Sequence, residues 1–272
     1  MAEIFNFDCY APKEIAERVE TVGVTKARLP LPSLFILGVL AGGFIGLGAL
    51  YFTLVTSDAQ LSFAASRLLG GVAFSLGLVL VIVAGAELFT GNNLLVMAWA
   101  SKRITSGELA INWTVVYLAN FLGALGLVAL VYLSGHWQMN DGAVGANAVK
   151  IALAKATLPF WEAFFKGILC NILVCLAVWL ALAGRSVADK ILAIVFPISA
   201  FVAAGFEHSI ANMYFIPLGI LVKDRIVVNG SEQLFWTGFF ANLLPVTIGN
   251  IIGGGLMVAL VYYLVYRRRL EN

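Results

Sequence analysis

Runs of apolar residues, each bounded by charge, divide this chain into six segments. A membrane-spanning helix needs about 20 predominantly apolar residues, so the charge-free intervals set the reading. Segment 1 lies between Arg28 and Asp58, segment 3 between Glu108 and Asp141, and segment 4 runs from near Trp161 to Arg185. Segment 6 lies between Glu232 and Arg267. Segments 2 and 5 differ from the others. Segment 2 starts after Arg67, is interrupted at Glu87 and resumes up to Lys102. Segment 5 starts after Lys190, is interrupted at Glu207-His208 and resumes to Val222. The predicted fold class is an all-α membrane protein with six transmembrane helices, the second and fifth broken. Residues 11–28 follow another pattern, with Ile15, Val19 and Val22 on one stripe. That predicts an amphipathic helix, either a surface anchor or a cover for a pore mouth. Two parts result: a cytoplasmic amphipathic helix over 1–28 and a single six-helix domain over 29–272.

The two halves of that domain echo each other, over about 29–140 and 156–266. Gly85-Ala86-Glu87 has Asn92 five residues after its Glu; Gly205-Phe206-Glu207 has Asn212 five residues after its own. Segment 3 reads Asn120-Phe121-Leu122-Gly123 and then Val128-Ala129-Leu130-Val131-Tyr132. Segment 6 reads Asn250-Ile251-Ile252-Gly253 and then Val258-Ala259-Leu260-Val261-Tyr262 at the same spacing. Duplication explains both matches. Three crossings per copy make the second copy enter from the opposite side, an inverted 3+3 repeat. Interrupted segments at matching positions of inverted halves point to a site near the membrane midplane. The chain around Thr90 and the chain around His208 are therefore expected to meet there.

Composition agrees with lipid rather than water. The chain is 61% hydrophobic and 12% charged, against about 25% charged in soluble domains. The net charge of +2 and the lack of a basic stripe argue against nucleic acid. Cys9, Cys170 and Cys175 lack metal-ligand spacing, so neither a metal nor another cofactor is expected. Met1 to Arg28 is mixed and charged, unlike a signal peptide. With both termini on one side, that side carries Lys13, Arg18, Lys26, Arg28, Lys102, Arg103, Arg185, Lys190 and Arg267 to Arg269; the other carries Arg67, Lys150, Lys155, Lys223 and Arg225. The positive-inside rule places both termini in the cytoplasm.

Ionisable groups within spans carry the chemistry, because each costs roughly 2.5–3.5 kcal/mol at the bilayer centre and usually faces a protein-lined cavity or pathway. His208 is the sharpest candidate: it can donate to a passing anion or exchange a proton with it. The bland alternative is a structural histidine bonded to another segment. Glu87 and Glu207 read better as structural acceptors than as pore lining, since an ionised carboxylate would repel an anion. Thr90 and Asn212 either hand a polar solute across or satisfy local backbone. Lys155 reads from its surroundings as a solvated lysine ahead of segment 4. Glu162 and Lys166, four apart, predict an ion pair on one helix face. Phe74, Leu78, Phe89 and Phe201 either form dewetting constrictions or simply pack.

Several runs together resemble the formate/nitrite transporter family. They are residues 70–78 (Gly-Gly-Val-Ala-Phe-Ser-Leu-Gly-Leu), 85–92 (Gly-Ala-Glu-Leu-Phe-Thr-Gly-Asn), 171–179 (Asn-Ile-Leu-Val-Cys-Leu-Ala-Val-Trp), 205–213 (Gly-Phe-Glu-His-Ser-Ile-Ala-Asn-Met) and 245–254 (Pro-Val-Thr-Ile-Gly-Asn-Ile-Ile-Gly-Gly). The resemblance covers essentially the whole chain. It implies an aquaporin-like protomer, one pore in each, assembled as a homopentamer. By motif position it makes His208 and Thr90 the central polar pair. Glu207 and Asn212 set the histidine's environment, Lys155 and Asn171 attract and coordinate the anion, and Asn250 supports the central chamber. It implies constrictions from Phe74 with Phe201, and from Leu78 with Phe89 and Val174. Residues 212–220 look like the formate branch, whereas 90–92, 154–157 and 165–167 look nearer the nitrite branch; Lys166 departs from the formate pattern.

The resulting expectation is a pH-dependent channel for small monovalent anions in a bacterial inner membrane. Formate is favoured, nitrite or hydrosulfide is the alternative within the family, and proton coupling would run through His208. A neutral-solute pore is the rival of another class. An enzyme is not expected: Ser209 adjoins His208, but helical neighbours do not face each other, and the chain has no Gly-x-Ser-x-Gly elbow.

Overall fold

A computed structural model describes residues 9–268. Its helices are α1 (Pro12–Ala27), α2 (Leu31–Val55), α3 (Phe63–Val79), α4 (Val96–Ala100), α5 (Ser106–Leu133) and α6 (Ala143–Ala156). They continue as α7 (Phe160–Ala183), α8 (Val187–Ala204), α9 (Ser209–Val222), α10 (Trp236–Ile251) and α11 (Val261–Tyr266). Six stretches are long and apolar enough to cross a membrane: α2, α3 with its extension to Gly85, α5, α7, α8, and Trp236–Tyr266. Large apolar side chains cover the outside, among them Leu130, Phe196, Phe240 and Val265, while asparagines and the glutamates Glu20, Glu87 and Glu207 are buried inside. This arrangement suits a hydrocarbon solvent.

Helix ends lie earlier than charge alone suggests. Ser62 caps α3, its side chain accepting from Ala65 N–H, and Ser186 caps α8 in a capping box with Asp189. Arg67 and Lys190 therefore sit inside α3 and α8, near their starts, rather than before them. A flanking cation marks where apolar sequence begins, but the cap marks where backbone hydrogen bonding begins. The stretch before segment 4, unassigned by hydropathy, is helix α6, which packs along α9.

Close approach of backbones holds each half together. α2 packs on α5, and α7 on α10. A Cβ on Gly42 would overlap the Asn120 carbonyl oxygen, and one on Gly123 would overlap that of Val39. In the second half, a Cβ on Gly249 would overlap the Phe164 oxygen, and one on Gly253 that of Ile168. Small residues let helices approach this closely in lipid, where van der Waals contact drives association.

The backbone leaves the α-helical course after α3 and between α8 and α9. α3 widens into a π-helical stretch, Leu80–Gly85, and Ala86 is extended. The chain then regains helix as a 3₁₀ turn, Gly91–Leu95, continuous with α4. α8 ends at Gly205, and His208 is extended at the start of α9. Gly85 and Gly205 have φ of 88° and 76°, in the left-handed region that glycine enters without a Cβ penalty.

Candidate functional site

Exposed backbone at a helix end inside lipid needs partners, and here one asparagine serves each end. Asn250 Nδ2 donates to the carbonyls of Gly167 (2.8 Å) and Glu207 (3.0 Å), while its Oδ1 accepts from Ser209 N–H (3.0 Å). The two peptide groups flanking His208 are thereby clamped. Asn120 repeats the pattern, donating to Gly38 (2.7 Å) and Glu87 (2.8 Å) and accepting from Phe89 N–H (2.9 Å). That clamp flanks Leu88. Leu88 thus occupies in the first half the place that His208 occupies in the second.

The carboxylates lie behind the clamps. Glu207 accepts from Lys155 Nζ (2.8 Å) and Asn212 Nδ2 (2.7 Å); Asn212 also donates to Asn242 Oδ1 (2.7 Å), and Asn242 to the Lys155 carbonyl (2.9 Å). Glu87 accepts from Lys26 Nζ (2.7 Å) and Asn92 Nδ2 (2.7 Å); Asn92 donates to Asn112 Oδ1 (3.0 Å), and Asn112 to the Lys26 carbonyl (3.1 Å). The two sets match closely and differ in two bonds: Lys26 also donates to Asn92 Oδ1 (3.2 Å), whereas Asn212 Oδ1 has no partner among the described residues, and Asn242 Nδ2 also donates to Glu207 (3.4 Å). Both carboxylates hold scaffold donors, and among the described residues the His208 ring is bonded to Thr90 and Ala211 rather than to either carboxylate. Sequence reading missed Lys26, Asn112 and Asn242. Extending the repeat would have found them: Lys26 precedes Gly38 by the same interval as Lys155 precedes Gly167, and Asn112 precedes Asn120 by the same interval as Asn242 precedes Asn250.

His208 and Thr90 meet at the centre, with Thr90 Oγ1 2.9 Å from His208 Nε2. Both residues are buried. His208 Nδ1 accepts the Ala211 N–H at 3.0 Å, capping α9. An accepting Nδ1 carries no hydrogen, so the neutral ring bears its proton on Nε2 and points it at Thr90. Asn171 Nδ2 donates to the carbonyls of Thr90 (3.2 Å) and Asn250 (2.7 Å) and to Asn93 Oδ1 (2.7 Å). Its amide hydrogens are committed to protein, so Asn171 fixes Thr90 rather than offering a donor to an anion.

A cavity opens on each side of this pair. One, of about 250 Å³, reaches His208 and is lined by Phe74, Phe201, Lys155, Lys166 and Arg67 among others; we call it the α6 vestibule. Phe74 and Phe201 lie edge to face at 5.7 Å, and the Phe201 ring stacks on His208 at 6.0 Å. The other, of about 600 Å³, is lined by Lys26, Glu87, Leu78, Leu88, Val178 and Lys190 among others; we call it the α1 vestibule. Lys155 is no solvated loop residue: it sits in the last turn of α6 with its side chain 16% exposed. The buried face of α1 comprises Ile15, Ala16, Val19, Glu20 and Gly23, and α1 packs on protein at the cavity mouth. The Glu162–Lys166 pair forms at 3.4 Å.

Phe89 does not line either vestibule; its ring packs edge-on against Tyr117 (4.9 Å) and Trp113 (6.2 Å) of α5. Leu88 lines the α1 vestibule beside Leu78. The reason is the Asn120 clamp, which presents residue 88 as Asn250 presents residue 208. Val174 is buried in the central core.

Six apolar crossings around a buried polar pair, with a cavity on either side, define a membrane transport protein. A family model described as formate/nitrite transporter matches residues 13–264, and the chain belongs to that family. It is 44% identical to the formate channel FocA of Escherichia coli, over 98% of each chain. It is 36% identical to a probable formate transporter of Methanothermobacter thermautotrophicus, over 94% of this chain and 97% of that one. A solved structure, a pentameric formate channel with formate bound, superposes with a TM-score of 0.82 at 39% identity, covering 88% of this chain and 98% of that chain.

Proposed function

We propose that this chain forms a homopentamer in a bacterial inner membrane, each protomer holding one pore for formate and related small monovalent anions. The carrying observation is the Thr90–His208 contact, two buried polar side chains between two cavities, flanked by Phe74, Phe201, Leu78 and Leu88. The formate channels among its relatives and the pentameric structural neighbour support the substrate and the assembly. We read the matched clamps as an inverted 3+3 repeat, with segments 2 and 5 broken at the midplane. Both termini lie in the cytoplasm by charge, so the α1 vestibule faces inward and the α6 vestibule outward.

Lys155, with one N–H committed to Glu207, offers its others to an anion at the vestibule floor. The phenylalanine pair strips water, and the His208 Nε2–H and Thr90 hydroxyl replace part of it. Acid pH adds a second route. A second proton must enter His208 at Nδ1, displacing the Ala211 cap. The imidazolium then gives its Nε2 proton to formate, and formic acid crosses uncharged. The test is proteoliposome uptake of formate, nitrite, hydrosulfide and lactate across pH, with wild type and His208→Ala. The reading expects formate flux whose acid enhancement disappears in His208→Ala. Unchanged rate and pH profile in the variant overturn the histidine's role, and nitrite or hydrosulfide outrunning formate overturns the substrate. Absence of anion current leaves a neutral-solute pore instead.

A further inference from the structure

Net charge, not local pairing, draws an ion from bulk water, and the innermost lysines carry little of it. Lys155 sits 2.8 Å from Glu207 and Lys26 2.7 Å from Glu87. At distances well beyond that separation, each pair acts as a dipole, whose field falls faster than that of a charge. The uncompensated charge lies elsewhere. The α6 vestibule is lined by two further cations, Arg67 and Lys166, and by no carboxylate besides Glu207. Arg67 has no carboxylate partner among the described residues; its Nε donates to the Ala203 carbonyl at 2.8 Å. Among the described residues Lys166 pairs only with Glu162, at 3.4 Å, with the side chains 35% and 58% exposed. The α1 vestibule is lined by Lys190, which likewise has no carboxylate partner among the described residues.

The placement of Arg67 and Lys190 adds a second argument. A helix C-terminus carries about half a negative charge and a helix N-terminus about half a positive one. At the second break α8 ends and α9 begins, so an entering anion meets both signs. Arg67 lies on the α8 end: its Nε holds the Ala203 carbonyl, and a Cβ on Gly205 would come within 2.7 Å of its Nη2. The repelling helix end is thereby covered by a cation. Lys190 shares the α1 vestibule with Ala84 and Gly85, where the stretch extending α3 ends.

We infer that Arg67, supported by Lys166, and Lys190 are the residues that set the anion-capturing potential of the two vestibules, Arg67 also neutralising a helix C-terminus that would otherwise repel the cargo. This rests on the anion-channel reading above. Lys155 and Lys26 act as donors only after capture. The ligand class is a small monovalent anion. The experiment is unidirectional formate flux, at concentrations below saturation, through oriented wild-type, Arg67→Gln, Arg67→Lys and Lys190→Gln channels in bilayers. The background salt is of impermeant ions at about 0.01 M and about 1 M, where the screening length falls from about 30 Å to about 3 Å.

Arg67→Gln is expected to lower flux from the α6 side about fivefold at low salt, as one charge acting across a partly screened cavity does. Its flux should approach wild type at high salt, and Arg67→Lys should keep most of the wild-type rate. Lys190→Gln should do the same from the α1 side only. Equal flux in Arg67→Gln and wild type at low salt overturns the inference. So does a loss that persists at high salt and is not rescued by lysine, which marks Arg67 as a strut for Ala203. Wild-type channels that pass another anion but not formate, with the same charge dependence, overturn the substrate and leave this inference standing. Wild-type channels that pass no anion overturn both.

Discussion

At the residue scale, buried groups here are held in sets, and breaking a set costs more than its net worth. Lys155→Met leaves the Glu207 carboxylate buried without its cation, which costs about 3 kcal/mol or more; thermal unfolding in detergent should record the loss. Adding Glu207→Gln should recover much of it, because the charge that needed a partner is gone. Additivity of the two losses would contradict the pair. Leu88 and Phe89 separate in another way. Leu88→Ala should widen the constriction and raise anion flux several-fold, whereas Phe89→Leu removes packing on Tyr117 and Trp113 and should lower thermal stability with flux nearly unchanged. The reverse pattern would restore Phe89 as the constriction. His208 and Thr90 were legible from sequence because polar side chains in apolar runs stand out. Which neighbour faces the cavity was not, since two adjacent apolar residues carry the same hydropathy. The offset that aligns Glu87 with Glu207 did contain the answer: it sets Leu88 opposite His208.

At the element scale, the helix pairs are defined by what glycine permits. Gly123→Val should clash with the Val39 carbonyl on α2. Overpacking of this kind costs about 1–3 kcal/mol, and separation of α2 from α5 would also disturb the Asn120 clamp between them. Reduced yield of folded protein, read by size-exclusion chromatography, is the expected result. Gly126→Val, where an added Cβ meets nothing within 4 Å, is the matched control and should fold normally. Hydropathy located the long crossings within a few residues, because twenty apolar residues have few other uses. It missed α6, a mixed helix whose lysine looked solvated, and it placed the starts of α3 and α8 too late. A cap is a single hydrogen bond and leaves only a faint mark on a hydropathy window.

At the scale of the whole molecule, an apolar exterior surrounds two clamps and two buried ion pairs, with a cavity on each side of Thr90 and His208. Assembly as five copies predicts a native mass of five chains in mild detergent; a stable monomer with full flux would separate assembly from transport. The sequence alone determined the membrane class, the two polar interruptions and the family, because each rests on local composition or on motifs readable without folding. Only the tertiary structure decided the partners of the buried charges. Lys26 and Glu87 are 61 residues apart and Lys155 and Glu207 are 52 apart, and helix packing alone brings them within bonding distance. Whether Lys155 is a free charge or half of a neutral pair, and whether residue 88 or 89 meets the pore, follow from that packing. The physical reason is common to both: hydropathy is a property of one position, whereas a buried charge or a constriction is a property of what lies across from it.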